Sequence, residues 1–92
     1  MPLVKTPNQL GAVLRATRTA LNLPAADVAA MAGTSAVTLR RLENGNATTA
    51  VRKLFALLDE LGIAMHLAVP PQVGTIELPA PAAKPRRTRV RP

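Results

Sequence analysis

Few of the 92 side chains in this chain can do chemistry, and their types exclude most reactions. There is no Cys and a single His, His66. Neither a thiolate nucleophile, nor a disulfide, nor a His/Cys metal site can be assembled from that set. Asp59 and Glu60 are adjacent and do not share a helix face, which removes them as a catalytic carboxylate pair. No Gly-rich loop of the kind that cradles phosphates is present. The chain is therefore expected not to be an enzyme and to need no cofactor or metal. What remains is positive charge: 12 Lys and Arg against 5 Asp and Glu, a formal net charge of +7. Residues 1–69 hold seven bases against four acids, and residues 70–92 hold five against one. A basic body with a more basic tail points to a polyanionic partner. No apolar run approaches the length of a membrane span and no signal peptide is legible, so the expected location is the cytoplasm.

The most informative stretch is "AGTSAVTLRRLENGN", Ala32 to Asn46. It reads as a short helix with Ser35 as its N-cap, Leu39 and Leu42 turned inward, and Gly45 supplying the left-handed residue that closes it. The stretch before it, "LPAADVAAMAG", reads as another short helix, opened by Pro24, with Val28, Ala29 and Ala32 inward and Gly33 at its end. Two short helices joined by a tight Gly turn make a helix-turn-helix arrangement. Its chemistry is geometric: the second helix fits the DNA major groove, and its N-terminal side chains reach base edges. Opposite Leu39 and Leu42 lie Ala36, Val37, Thr38 and Arg41, the candidate base contacts. Arg can bind guanine through two hydrogen bonds, Ala and Val can meet a thymine methyl, and Thr can do either polar or apolar work. Ser35 can add a phosphate contact through its hydroxyl or backbone amide. Glu43 cannot face a phosphate and is expected to pair with a base inside the protein.

The remaining elements must hold that unit in place. A helix over about 7–21 is expected from Thr6 as N-cap, Pro7 at its first position and Gln9 completing a capping box. Its apolar face is Leu10, Val13, Leu14, Thr17 and Leu21. The short helices fall at about 24–32 and 35–44. A fourth, about 49–61, is capped by Thr48 or Thr49, lined by Val51, Leu54, Phe55, Leu58 and Leu61, and stopped by Gly62. Phe55 is the only aromatic residue, so the core is aliphatic and thin, and an obligate dimer is a natural remedy. In "IAMHLAV" the period changes to two: Ile63, Met65, Leu67 and Val69 alternate with smaller or polar residues, which predicts a strand over about 63–69. A lone strand after four helices has no partner in the chain, and pairing with the same strand of a second copy would cover its edge. Ile63, Met65, Leu67 and Val69 are thus the candidate dimerisation residues, His66 sits on the polar face, and Met31 and Met65 belong to the core. From Pro70 onward, where six of the nine prolines lie, the chain reads as a flexible tail, with a possible short strand at Val73–Leu78. The expected fold is all-α with a short C-terminal β-strand: one domain over residues 1–69 and a Pro-rich basic tail over 70–92.

"LPAADVAAMAGTSAVTLRRLENG" resembles the lambda-repressor-like, Cro/C1-type helix-turn-helix, through Ala29, Gly33, Ser35, Thr38, Leu39, Leu42, Glu43 and Gly45. On either side, "TPNQLGAVLRATR" and "TTAVRKLFALLDELGIAMHL" resemble the HipB-type antitoxins that partner HipA-type serine/threonine kinases, so that about residues 4–69 are covered. The resemblance implies a homodimer joined by an intermolecular β-ribbon and reading palindromic operators. It also implies repression of its own toxin–antitoxin operon, a complex with a HipA-like kinase, and a nucleoid-associated place in a bacterial cytoplasm. One departure matters. Where the family often opens its second helix with Thr-Gln-Glu-Glu, this chain has Pro24, Ala25, Ala26 and Asp27, and so lacks the phosphate contact of that Gln. Phosphate binding then falls to Arg15, Arg18, Arg40, Asn44, Asn46, Arg52 and Lys53, together with Ser35. A stand-alone Cro/C1-type regulator and a protein-interaction module that has lost DNA binding are the other two readings.

The tail "KPRRTRVRP" has three readings: a solvated end, a non-specific grip on DNA phosphates, or a docking segment for a protein partner. The phosphate reading predicts that deleting Lys84–Pro92 lowers the slope of log affinity against log salt by several units, because each phosphate neutralised adds about 0.9 to that slope. Titrations of full-length and truncated protein at several salt concentrations measure it, and equal slopes refute it.

Overall fold

The computed structural model describes residues 2–79. The basic tail segment therefore lies outside the described residues. In chain order the elements are β1 (Leu3–Val4), α1 (Pro7–Ala20), α2 (Ala25–Met31), α3 (Ala36–Glu43), α4 (Thr49–Leu61) and β2 (Met65–His66), followed by a 3-10 turn at Pro71–Val73. Among the described residues, no helix is long and apolar enough to cross a membrane.

Local chemistry sets the helix limits. Extended Thr6 caps α1, its hydroxyl accepting from the Gln9 N–H at 3.1 Å, and Pro7 occupies the first turn. The expected capping box is only half formed. The Gln9 side chain accepts from the Lys5 N–H at 2.7 Å instead of returning to Thr6, and donates through Nε2 to the Pro79 carbonyl at 3.0 Å. Buried Gln9 thus ties the N-terminal arm to a segment 70 residues away. The helices share one mode of ending. Past α2, Gly33 adopts φ +76° and the Thr34 N–H reaches back to the Ala29 carbonyl at 2.8 Å. Past α3, Gly45 adopts φ +83° and Asn46 bonds Arg41 in the same way at 2.8 Å. These are Schellman closures, which need a left-handed residue. At the end of α1 that residue is Asn22, φ +57°, a position the sequence does not mark with a glycine.

The core is split. The larger cluster is Val4, Val13 and Phe55, with Leu10, Val51, Leu58, Met65 and Leu67 packed around it. The smaller one is Ala25, Ala29 and Leu39, with Val28 against it, and belongs to the two short helices. Two alanines facing one leucine allow α2 and α3 to approach closely. α1 bridges the clusters and lies directly on the end of α3. At Gly11 a Cβ would fall 2.2 Å from the Leu42 carbonyl oxygen and 2.6 Å from that of Glu43, so only glycine fits.

Several expectations are corrected. The strand is not alone: β1 pairs antiparallel with β2, in the register Leu3–His66 and Val4–Met65, and the Leu67 N–H extends the pairing to the Pro2 carbonyl at 3.1 Å. The N-terminal segment is too short to announce itself as a strand, which is why no partner within the chain was expected. β2 itself covers only two residues of the expected 63–69, although the alternation persists, with Met65, Leu67 and Val69 half-buried between exposed neighbours. Ile63 is exposed and outside that face. Ala32 and Met31, expected inside, are exposed, because the Gly33 turn carries the end of α2 out to solvent. Leu54 and Leu61 are also largely exposed, since α4 buries the narrower face of Val51, Phe55 and Leu58. Residues 70–79 differ from the expected flexible tail: Ile76 and Leu78 pack on the larger cluster, and Val73–Leu78 forms no ladder.

Replacing Gly11 with Ala should destabilise the protein by about 1–3 kcal/mol or more, as overpacking against backbone does, whereas Gly62→Ala meets no neighbour and adds only the strain of its positive φ. Urea unfolding followed by circular dichroism compares the two.

Candidate nucleic-acid interface

The outward surface of the short helices is built from the cap upward. Ser35 is extended at the start of α3, and its Oγ accepts from the Thr38 N–H at 3.1 Å while donating to Thr38 Oγ1 at 3.0 Å. The hydroxyl of Thr38 is therefore held against Ser35, and its side chain is placed by the cap. Leu39 is buried and Leu42 half-buried, which turns Val37, Thr38 and Arg41 to solvent. Ala36 is half-buried beside them. The four candidate base contacts thus lie along the first two turns of one helix, three fully on its open side. That face is sparse in donors: Arg41 is its one cationic side chain, and Val37 its largest apolar one at 60% exposure.

Of the candidate phosphate contacts, four are brought together. Arg15 and Arg18 from α1, Arg40 from α3 and Asn44 at the end of α3 line a shallow cleft, with Glu43 as its other wall. Arg15, Arg40 and Asn44 are exposed. Asn46, Arg52 and Lys53 are exposed as well, beyond the cleft, in the α3–α4 connection and at the start of α4.

Arg18 departs from its expected role. It is held by Glu43, Nε to Oε2 at 2.6 Å and Nη2 to Oε1 at 3.0 Å, and its Nη1 donates to the Leu23 carbonyl at 3.1 Å. The Glu43 side chain is 4% exposed and that of Arg18 16%. This two-pronged pair is the internal base expected for Glu43, and with the bond to Leu23 it engages three of the five N–H donors of Arg18 inside the protein. The hydrogen bonds to the Glu43 carboxylate, aided by its charge, hold the Arg18 pKa above its ordinary value. The cleft keeps two cations, Arg15 and Arg40, beside a neutralised pair. Sequence spacing alone could not separate Arg18 from Arg15, because both lie on the polar side of α1 and the choice depends on where α3 ends. Among the described residues, no group of three or more His, Cys, Asp or Glu is placed to hold a metal.

The comparison with known families decides the class. A helix-turn-helix family model of the Cro/C1 type matches residues 14–66, more than half of the chain. The chain belongs to that helix-turn-helix family. Domains of this family bind DNA in transcription regulation, and the matched span runs from the middle of α1 through β2, taking in all of α2, α3 and α4. No curated protein and no solved structure matches the chain.

Arg18→Ala and Arg40→Ala should separate the two roles. Arg18→Ala leaves the nearly buried Glu43 carboxylate unpaired and should lower the melting temperature clearly. Arg40→Ala, at an exposed position, should change stability by no more than about 0.5 kcal/mol. Thermal unfolding of both variants at low salt measures the difference.

Proposed function

We propose that this protein is a sequence-specific transcriptional repressor that binds palindromic operators as a dimer, acting at its own promoter. The observation that carries the reading is the open side of α3, where Val37, Thr38 and Arg41 project from a helix whose other side is held by Leu39. A helix so presented can lie in the major groove with its first turns at the base edges. The exposed Arg15, Arg40 and Asn44 beside it suit the flanking phosphates, which would set register without reading sequence. With few donors on the reading face, part of the selectivity comes from DNA shape and from the spacing of two half-sites about one helical turn apart.

The finer reading is that the repressor is also an antitoxin that complexes a HipA-like kinase. It is supported by the resemblance of about residues 4–69 to HipB-type antitoxins. The second reading is a stand-alone regulator; β1 covers one edge of β2 and leaves the other open, so the strand pairing is compatible with both readings. Co-expression with the product of the neighbouring gene separates the two: a stable complex with a kinase supports the antitoxin, and its absence leaves the regulator.

Arg41→Ala should cost about 1–3 kcal/mol in operator affinity and relax selectivity at one base position. Fluorescence anisotropy on DNA from upstream of the gene, with single-base variants, reads both effects. If the wild-type protein prefers none of these sequences over random DNA, the repressor reading fails.

A further inference from the structure

α4 carries two apolar stripes, and the protein covers only one of them. Val51, Phe55 and Leu58 pack into the core. Ala50, Leu54, Leu57 and Leu61 form a second stripe, spaced 4, 3 and 4 residues apart, the seam spacing of paired helices. All four are exposed, Leu54 at 47%, Leu57 at 57% and Leu61 at 69%. Three leucines in one exposed row on so small a chain mark a contact surface rather than scattered apolar residues.

The charges on the same helix say what covers it. The first turns hold Arg52 and Lys53 and the last turn Asp59 and Glu60, with no acid in the first turn and no base in the last. This is the reverse of what the helix dipole favours. Lys53 and Glu60 are seven residues apart and therefore flank the leucine stripe on the same side, whereas Arg52 and Asp59 lie farther round the helix. A twofold axis perpendicular to α4 sets two copies antiparallel, and the charge order selects this over the parallel arrangement, which would place basic end beside basic end and acidic end beside acidic end. In one antiparallel register, Leu54 meets the partner's Leu57 and Ala50 meets the partner's Leu61. That same register sets Lys53 against the partner's Glu60, and each acidic end then lies beside the basic end of the other helix. The leucine layers and the charges independently select the same alignment.

We infer that α4 is the homodimer interface of this protein, two copies packing antiparallel through Leu54, Leu57 and Leu61 with Lys53 paired to the partner's Glu60. The inference rests on the reading of the chain as a dimeric regulator. It assigns dimerisation to α4 rather than to the strand residues, and it takes Lys53 away from the phosphates while leaving Arg52 free for them.

The test is sedimentation of the full chain without DNA. The wild type should be a dimer, and Leu57→Asp should be a folded monomer, since Leu57 is already exposed; far-ultraviolet circular dichroism checks the fold. Lys53→Glu and Glu60→Lys should each weaken the homodimer on the order of tenfold at low salt. An equimolar mixture of the two should recover the dimer, because both cross-helix pairs become opposite in charge again. A monomeric wild type at high micromolar concentration, a dimer that survives Leu57→Asp, or a mixture no tighter than its parents would overturn the assignment. Operator binding, measured separately by anisotropy, distinguishes this failure from failure of the repressor reading.

Discussion

The structure depends on α1 lying directly against the C-terminal end of α3. Two features at one junction impose it. Gly11 presents no Cβ, so the backbone of α1 can meet the carbonyls of Leu42 and Glu43. One and a half to two turns farther on, Arg18 grips the Glu43 carboxylate with two hydrogen bonds and the Leu23 carbonyl with a third. The first feature sets the distance between the helices, and the second sets their rotation. Because Leu23 leads into α2, the same guanidinium also fixes where the helix-turn-helix unit begins. A small aliphatic core with one aromatic residue would leave these orientations soft, and a directional ion pair supplies what packing alone does not.

The orientation has a consequence for the surface. Holding α3 by Leu39 on one side and by Glu43 at its end leaves Val37, Thr38 and Arg41 outside. It also brings Arg15 and Arg40, which are far apart in sequence, to the walls of one cleft. The structural pair and the exposed cations are thus neighbours with different work: Glu43 neutralises the cation that positions the helix, and the remaining cations face outward. The family's usual glutamine at the start of α2 is replaced here by Ala25, which is buried against Ala29 and Leu39. That position serves packing, and the exposed positive charge beside it comes from α1 and α3, through Arg15 and Arg40.

A similar division runs through the ends of the chain. Gln9, from a position that reads as a helix cap, is buried and joins the N-terminal arm to Pro79. β1 and residues 69–78 close over Val13 and Phe55 from two sides, so segments that carry little pattern of their own finish the larger core. The apolar row that α4 leaves uncovered, Leu54, Leu57 and Leu61, lies on the side of the helix turned away from Phe55.

Residue order alone determined the four helices and all their ends but the C-terminal end of α1, because caps and left-handed closures are local chemistry: Thr6, Ser35 and Thr48 each accept the N–H three residues on, and Gly33, Gly45 and Gly62 each take the positive φ. It also determined the helix-turn-helix unit, the inward Leu39 and the internal pairing of Glu43, since periodicity and charge type suffice for those. Only the tertiary structure decided which cation Glu43 takes, that a two-residue strand at Leu3–Val4 pairs with β2, that residues 70–79 dock on the core, and which of the leucines of α4 lie inside. Each of these turns on a contact between segments distant in sequence. A helix with leucines on two faces, or a polar side with two arginines, satisfies its local rules either way, and the choice is made by what packs against it.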